Sequence, residues 1–178
     1  VMIEDQLAPK RCGHTRGKQV VSRQEAGSRL KAAVDARDAG ADILIMSRTD
    51  ANATDGLDEA IERCKMAIDL GVDITFLEAP QNEKEMEKYC HQVSGPKMAN
   101  MVEQGDTPFL PPNKLQDLGY KVAIFPVSIM LAAIKAMEDT LEKLEEGHDT
   151  SSLATFMHLQ EVVGFPEYYK AEKEYAFK

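Results

Sequence analysis

The chain has 178 residues, of which 43% are hydrophobic, and a formal net charge of −9 at pH 7. This length and apolar content suffice to bury one core, and no apolar run approaches the length of a membrane span, so the sequence predicts a soluble globular protein. The acidic balance disfavours nucleic acid and anionic membrane surfaces as partners.

Apolar runs alternate with helical patterns along the chain, which is typical of parallel strands joined by crossover helices. Ser22 and Glu25 have the spacing of a capping box at the first helix, and Gly71 and Gly119 are placed to end later helices. In chain order the predicted elements are a strand over 1–4, a helix from Ser22, a strand over 43–47, a helix over 57–70, a strand over 74–77, a helix over 83–93, a strand over 98–101, a helix over 112–118, a strand over 122–125 and a helix over 128–146.

The candidate functional residues all follow the carboxyl ends of predicted strands: Glu4, Cys12, Arg48, Glu78, Asn100 and Pro126. A (β/α)8 barrel has its active site at that face, but it needs eight strands and about 250 residues. We therefore expect an α/β fold in which 1–147 form the C-terminal five strand-helix units of a TIM barrel, in an N-terminally truncated chain, with 148–178 as a C-terminal helical arm. The alternative is a small open α/β domain of five strands.

Three cysteines, Cys12, Cys64 and Cys90, occur without any CxxC spacing. This pattern indicates neither a disulfide framework nor a zinc site, and it favours a reducing compartment. Cytoplasm, plastid and mitochondrion remain open. Cys64 and Cys90 fall in helical patterns, so they are predicted to be buried packing residues.

Cys12 differs, because it lies in a loop rich in cations and glycines directly after an apolar strand. Cysteine reacts as the thiolate, which nearby positive charge favours, and glycines let the backbone bend closely around an anionic substrate. The neighbours concerned are Lys10, Arg11, Gly13, His14, Arg16 and Gly17. The pattern predicts an active-site loop for a small anionic metabolite, and the alternative is an ordinary solvated loop.

The order of these residues is specific. Lys10-Arg11-Cys12-Gly13-His14 resembles the Lys-Lys-Cys-Gly-His signature loop of the isocitrate lyase and phosphoenolpyruvate mutase superfamily. The resemblance continues through 47–51, 76–80, 97–103 and 120–126, and the tail over 163–176 is similar to the branch of plant carboxyvinyl-carboxyphosphonate phosphorylmutase-like and 2-methylisocitrate lyase-like proteins. On these motifs the chain is identified as a member of the superfamily.

The resemblance implies a lyase, dependent on Mg2+ or Mn2+, that cleaves a carbon-carbon bond of a small 2-hydroxy or 2-oxo carboxylate through an enolate. It implies that Cys12 transfers the proton with the help of His14, and that Glu4 contacts the metal through water. The substrate would be bound by Lys10, Gly13, Arg16, Arg48, Glu78 and Asn100. The superfamily's direct metal ligands come from an upstream aspartate-rich strand end, for which this sequence has no counterpart.

Two positions bear on the substrate. Pro126 stands where oxaloacetate hydrolases of the superfamily have a serine, and Leu131 stands where methylisocitrate lyases have an arginine. These residues disfavour oxaloacetate hydrolysis and tricarboxylate substrates.

Two alternative functions stay open: a carboxyphosphonoenolpyruvate phosphonomutase that forms a phosphorus-carbon bond, and a truncated, non-catalytic subunit or carboxylate-binding relative. The superfamily also implies a homo-oligomer formed through the C-terminal arm, with packing of the arm on its own barrel as the alternative.

Overall fold

The computed structural model describes residues 1–12, 17–147 and 153–177, in which short parallel strands alternate with helices. The elements are β1 (Met2–Glu4), α1 (Arg23–Asp38), β2 (Met46–Thr49), α2 (Ala51–Thr54), α3 (Leu57–Asp69), β3 (Ile74–Leu77), α4 (Glu83–Gln92), β4 (Met98–Asn100), α5 (Pro112–Leu118), β5 (Val122–Ile124), α6 (Ser128–Glu145), α7 (Phe156–Val162) and α8 (Phe165–Tyr175).

Most predicted elements lie within a residue or two of their observed bounds, and the Ser22 side chain caps α1 by accepting a hydrogen bond from Glu25 N. The exception among the strands is β2, which begins three residues later than the predicted 43. Ile43 and Leu44 are exposed, and pairing with both neighbouring strands begins only at Met46. The short helix α2 was not predicted.

The strands are parallel and follow one another in chain order. β1, β2 and β3 form one sheet and β4 pairs with β5. A parallel bridge between Thr75 and Lys97, with Thr75 N donating to Pro96 O at 3.1 Å, continues the order from β3 to β4. The predicted parallel α/β organisation is confirmed, and it brings the carboxyl ends of the strands to a common edge.

Apolar side chains of the helices pack against this strand layer. The larger cluster includes Ile61, Cys64, Met86 and Met101, each at most 1% exposed. Cys64 is thus a buried packing residue as predicted, and burial raises the pKa of its thiol. Cys90 is partly buried, and burial raises its thiol pKa to about 11.

By its contacts the chain forms two compact units, Val1–Ile129 and Met130–Lys178. The second contains α7 and α8, where the rings of Phe165, Tyr168 and Tyr169 lie 5.6 to 6.2 Å from one another. Over the described residues, none of the helices is long and apolar enough to cross a membrane.

Asp73 joins the amino-terminal ends of β2 and β3 to α1. One oxygen, Oδ2, accepts hydrogen bonds from Ile45 N at 2.8 Å and from Arg37 Nη1 at 2.6 Å. Burial of Asp73 opposes its charged form, but these two donors outweigh that effect and lower the pKa of the carboxyl below its usual value.

Because the folded pKa of Asp73 is below the unfolded one, its contribution is present above the unfolded pKa and is lost as the pH falls through the folded pKa. We expect Asp73→Asn to lower the free energy of unfolding by about 1 kcal/mol at pH 7, and by less in acid. Urea unfolding at pH 7 and pH 3 measures the difference. Asp42→Asn, at an exposed position, is the control. An equal loss of unfolding free energy at pH 7 and at pH 3 would contradict the stabilising role assigned to the ionised Asp73 carboxylate.

Candidate active site

Four residues predicted to be functional lie side by side at the carboxyl ends of β1 to β4. Glu4 and Arg48 are partners in the β1–β2 register, with Arg48 Nε 3.6 Å from Glu4 Oε2. Arg48 Nη1 lies 3.8 Å from Glu78 Oε2, and Asn100 Nδ2 donates to Glu78 Oε1 at 3.3 Å. We call this row, made of Glu4, Arg48, Glu78 and Asn100, the strand-end row.

Arg48 is fixed within the row by its neighbour Asp50. Its Nε and Nη2 donate to the two oxygens of Asp50 at 2.8 and 3.0 Å, and its guanidinium lies 5.2 Å from the centre of the Phe76 ring. Burial opposes the charge, but the bond to Asp50 and the neighbouring carboxylates raise the pKa of Arg48. Arg48 is therefore a permanently charged group whose orientation is set in advance.

Asp5 links β1 to the turn that carries Asp50. It is 4% exposed, and its oxygens accept from Thr49 Oγ1 at 2.6 Å and from Asp50 N at 2.9 Å. Arg63 Nη1 approaches the same carboxylate at 3.1 Å and also donates to Val21 O. Burial raises the pKa of Asp5, so stability falls as the pH rises from its unfolded pKa to its folded pKa.

Two charged residues of this site, Lys18 and Arg63, had been given no role from the sequence. Asp50 is completely buried, and the Lys18 side chain, 6% exposed, brings Nζ to 3.8 Å from Asp50 Oδ1. For Arg63 a signal was present, because it shares a helical face with Ala60 and Ala67, both fully buried. A charge on the apolar face of a helix requires a buried partner.

We call residues 8–18, which include Cys12, the cysteine loop. This loop begins next to the strand-end row. Lys10 Nζ lies 2.9 Å from Glu4 Oε1, and Cys12 is an exposed thiol. The predicted site residues Gly13, His14 and Arg16 lie outside the described residues. The structure thus brings Lys10 to the row and exposes Cys12 in the same loop.

Oxygen atoms with no partner mark where a further group fits. Asn100 Oδ1 and Glu103 Oε2 are buried without a hydrogen-bond partner among the described residues. In residues 1–12, 17–147 and 153–177, no three His, Cys, Asp or Glu side chains are grouped closely enough to hold a metal ion directly. Such oxygens suit a hydrated cation, whose water molecules donate hydrogen bonds to them.

Comparison with known proteins identifies the relatives of this site. Residues 1–145 match the family model described as phosphoenolpyruvate phosphomutase. The chain belongs to this family. Curated relatives include 2,3-dimethylmalate lyase of Eubacterium barkeri, 39% identical over 99% of this chain and 62% of that protein. Carboxyvinyl-carboxyphosphonate phosphorylmutase of Arabidopsis thaliana, which is chloroplastic, is 33% identical over 98% of this chain and 53% of that protein.

Among solved structures, this family member is similar to oxaloacetate acetylhydrolase in complex with the inhibitor 3,3-difluorooxalacetate, with a TM-score of 0.88. The two are 32% identical over 99% of this chain and 61% of that one. The chain spans between half and two thirds of the length of each of these relatives. The superfamily predicted from the Lys10–His14 motif is confirmed.

Proposed function

We propose that the chain belongs to a Mg2+-dependent lyase that cleaves a carbon-carbon bond of a small 2-hydroxy or 2-oxo carboxylate through an enolate. The observation that carries this proposal is the strand-end row, in which a preoriented guanidinium lies between two carboxylates at the edge where the cysteine loop begins. In this proposal residues 1–147 are the C-terminal five strand-helix units of a TIM barrel, whose active site lies at that face.

Arg48 binds a carboxylate of the substrate. Its charge is permanent and its plane is set by Asp50 and Phe76, so little side-chain entropy is lost when an anion binds. Lys10 and Arg16 hold further carboxylate oxygens, and Gly13 supplies a backbone N–H. Glu78 and Asn100 orient the hydroxyl or carbonyl group of the substrate.

Glu4 and the amide oxygen of Asn100 would hold Mg2+ through its water molecules. The bound cation supplies positive charge that stabilises the enolate. Glu4 lies beside two cations, with one oxygen 2.9 Å from Lys10 Nζ and the other 3.6 Å from Arg48 Nε.

Cys12 moves the proton. When the carbon-carbon bond of a 2-hydroxy carboxylate breaks, the hydroxyl loses its proton to solvent and becomes a carbonyl, while the electron pair of the broken bond remains on the enolate fragment. The Cys12 Sγ–H then delivers a proton to the enolate carbon and becomes a thiolate, which solvent reprotonates. Positive charge in the loop, from residues such as His14, stabilises that thiolate.

A phosphonomutase reaction is the second candidate, favoured by the 33% identity to the plant phosphorylmutase over nearly the whole chain. A non-catalytic subunit is the third.

The names of the relatives suggest which substrates to test: 2,3-dimethylmalate, 2-methylisocitrate and oxaloacetate. Pro126 and Leu131 favour the dialkylmalate class over the other two. The C-terminal arm is proposed to join copies of the protein into a homo-oligomer.

With the best of these substrates, Cys12→Ser in the full-length polypeptide is expected to lower kcat by about 100- to 10,000-fold, because a serine hydroxyl is a far weaker proton donor. The substrate affinity, measured by calorimetry, should change by only a few-fold. Cys90→Ser, in α4, serves as the control and should retain activity. Full turnover by the Cys12 variant would remove this thiol from the mechanism.

A further inference from the structure

The cysteine loop is closed at its base by backbone pairing. Gln6 and Val20 form an antiparallel bridge, Leu7 N donates to Gln19 O at 2.8 Å, and Val21 N donates to Asp5 O at 2.8 Å. We call these two paired segments, 5–7 and 19–21, the loop neck. Because Asp5 is held by the turn after β2, the neck is fixed to the strand ends.

Gln6 extends this order beyond the neck with its side chain. The residue is 5% exposed, and both polar atoms of its amide bind the backbone of one residue: Arg11 N donates to Gln6 Oε1 at 2.8 Å, and Gln6 Nε2 donates to Arg11 O at 2.9 Å. A primary amide has a donor nitrogen and an acceptor oxygen side by side, so it can satisfy a backbone donor and a backbone acceptor together. The amide of Gln6 thus pairs with Arg11 as a neighbouring strand would.

The Arg11 side chain meets the other limb of the loop. Gly17 has a φ of +80°, and a Cβ built there would lie 3.2 Å from Arg11 Nη1. A larger residue at 17 is disfavoured by this backbone conformation, and the Arg11 guanidinium would also have to shift slightly. Arg11 is therefore held through its backbone by Gln6, directly before Cys12, and its side chain lies against Gly17.

We propose that Gln6 is a positioning residue for Cys12: its buried amide fixes the Arg11 backbone and thereby sets where the thiol lies relative to the strand-end row. The inference deepens the proposed function, since it rests on Cys12 taking part in the reaction. Loss of the amide would leave the neck paired but release the segment that carries the thiol. Displacement of a reacting group by about 1 Å costs on the order of 100-fold in rate.

The test compares Gln6→Ala and Gln6→Glu with Gln19→Ala, whose side chain is exposed on the opposite segment of the neck. In Gln6→Ala, hydrogen-deuterium exchange at the Arg11 amide should accelerate about tenfold or more, kcat should fall about 100-fold, and KM should stay within about threefold. Gln19→Ala should leave all three unchanged.

Gln6→Glu adds a pH signature that a merely structural role would not produce. An ionised carboxylate can still accept from Arg11 N but cannot donate to Arg11 O, whereas the protonated form can do both. After correction for the intrinsic pH dependence of exchange, the Arg11 amide should therefore be less protected at high pH than in acid. This variant also serves if Gln6→Ala fails to fold.

Unchanged Arg11 exchange in the Gln6 variants would overturn the proposal, as would fast exchange with unchanged kcat. If Cys12→Ser is fully active, the proposed role of Cys12 in the reaction fails, and the exchange measurements still decide whether Gln6 orders the loop.

Discussion

Replacing Asp5 with alanine is expected to lower the free energy of unfolding by about 3 kcal/mol, because removal of one partner from a buried ion pair leaves the other charge incompletely compensated. Arg63 is 7% exposed, and among the described residues it would keep Glu59 and Val21 O as partners. The Thr49 hydroxyl and the Asp50 amide would also lose their acceptor.

Urea unfolding of the full-length polypeptide measures this loss, and Asp42→Ala, at an exposed position, is the control. The double variant Asp5→Leu, Arg63→Met provides the complementary comparison. It removes both charges and should recover part of the stability lost in Asp5→Ala. A double variant no more stable than Asp5→Ala would mean that the two hydrogen bonds to Thr49 and Asp50, and not the ion pair, account for the effect.

Arg48→Lys is expected to weaken substrate binding by about 10- to 100-fold, because a charge-assisted hydrogen bond to the substrate is lost. The guanidinium uses two nitrogens on Asp50 while its third faces Glu78. A lysine ammonium is a single point and cannot keep the two contacts to Asp50 while it also binds a carboxylate of the substrate.

Isothermal titration with substrate, or KM where turnover is slow relative to dissociation, measures the change. Arg37→Lys is the matched control, because Arg37 pairs with Asp73 at the amino-terminal side of the sheet, away from the strand-end row. Retained affinity in Arg48→Lys would return Arg48 to a purely structural ion pair with Asp50.

The elements were predictable where local signals agree. The strand over 74–77 and the helix over 112–118 were placed at their observed bounds, because an apolar β-branched run follows Gly71 in one case and a proline start and a glycine end frame the other. The apolar run over 43–45 was wrongly predicted to belong to this strand. β2 begins only where β1 and β3 pair with it, and the position of neighbouring strands cannot be read from the local sequence.

The site was predictable only in part, because contacts between distant parts of the chain cannot be read from the local sequence. The nearness of Glu4, Arg48, Glu78 and Asn100 was predictable because each stands at a strand end, and parallel topology carries strand ends to one edge. Their proposed roles come from the resemblance to the superfamily. Asp50 and Lys18 stand in loops whose local sequence gives no sign that they are buried.

The sequence by itself determined the superfamily, the α/β alternation and the strand ends that carry polar groups, because each is written in short contiguous patterns. Only the tertiary structure decided what those groups contact. It paired Arg48 with Asp50, brought Arg63 into contact with Asp5 across 58 residues of chain, and joined the Gln6 amide to the Arg11 backbone. Such pairings depend on which charges and hydrogen-bonding groups are buried together, and burial is a property of the assembled fold.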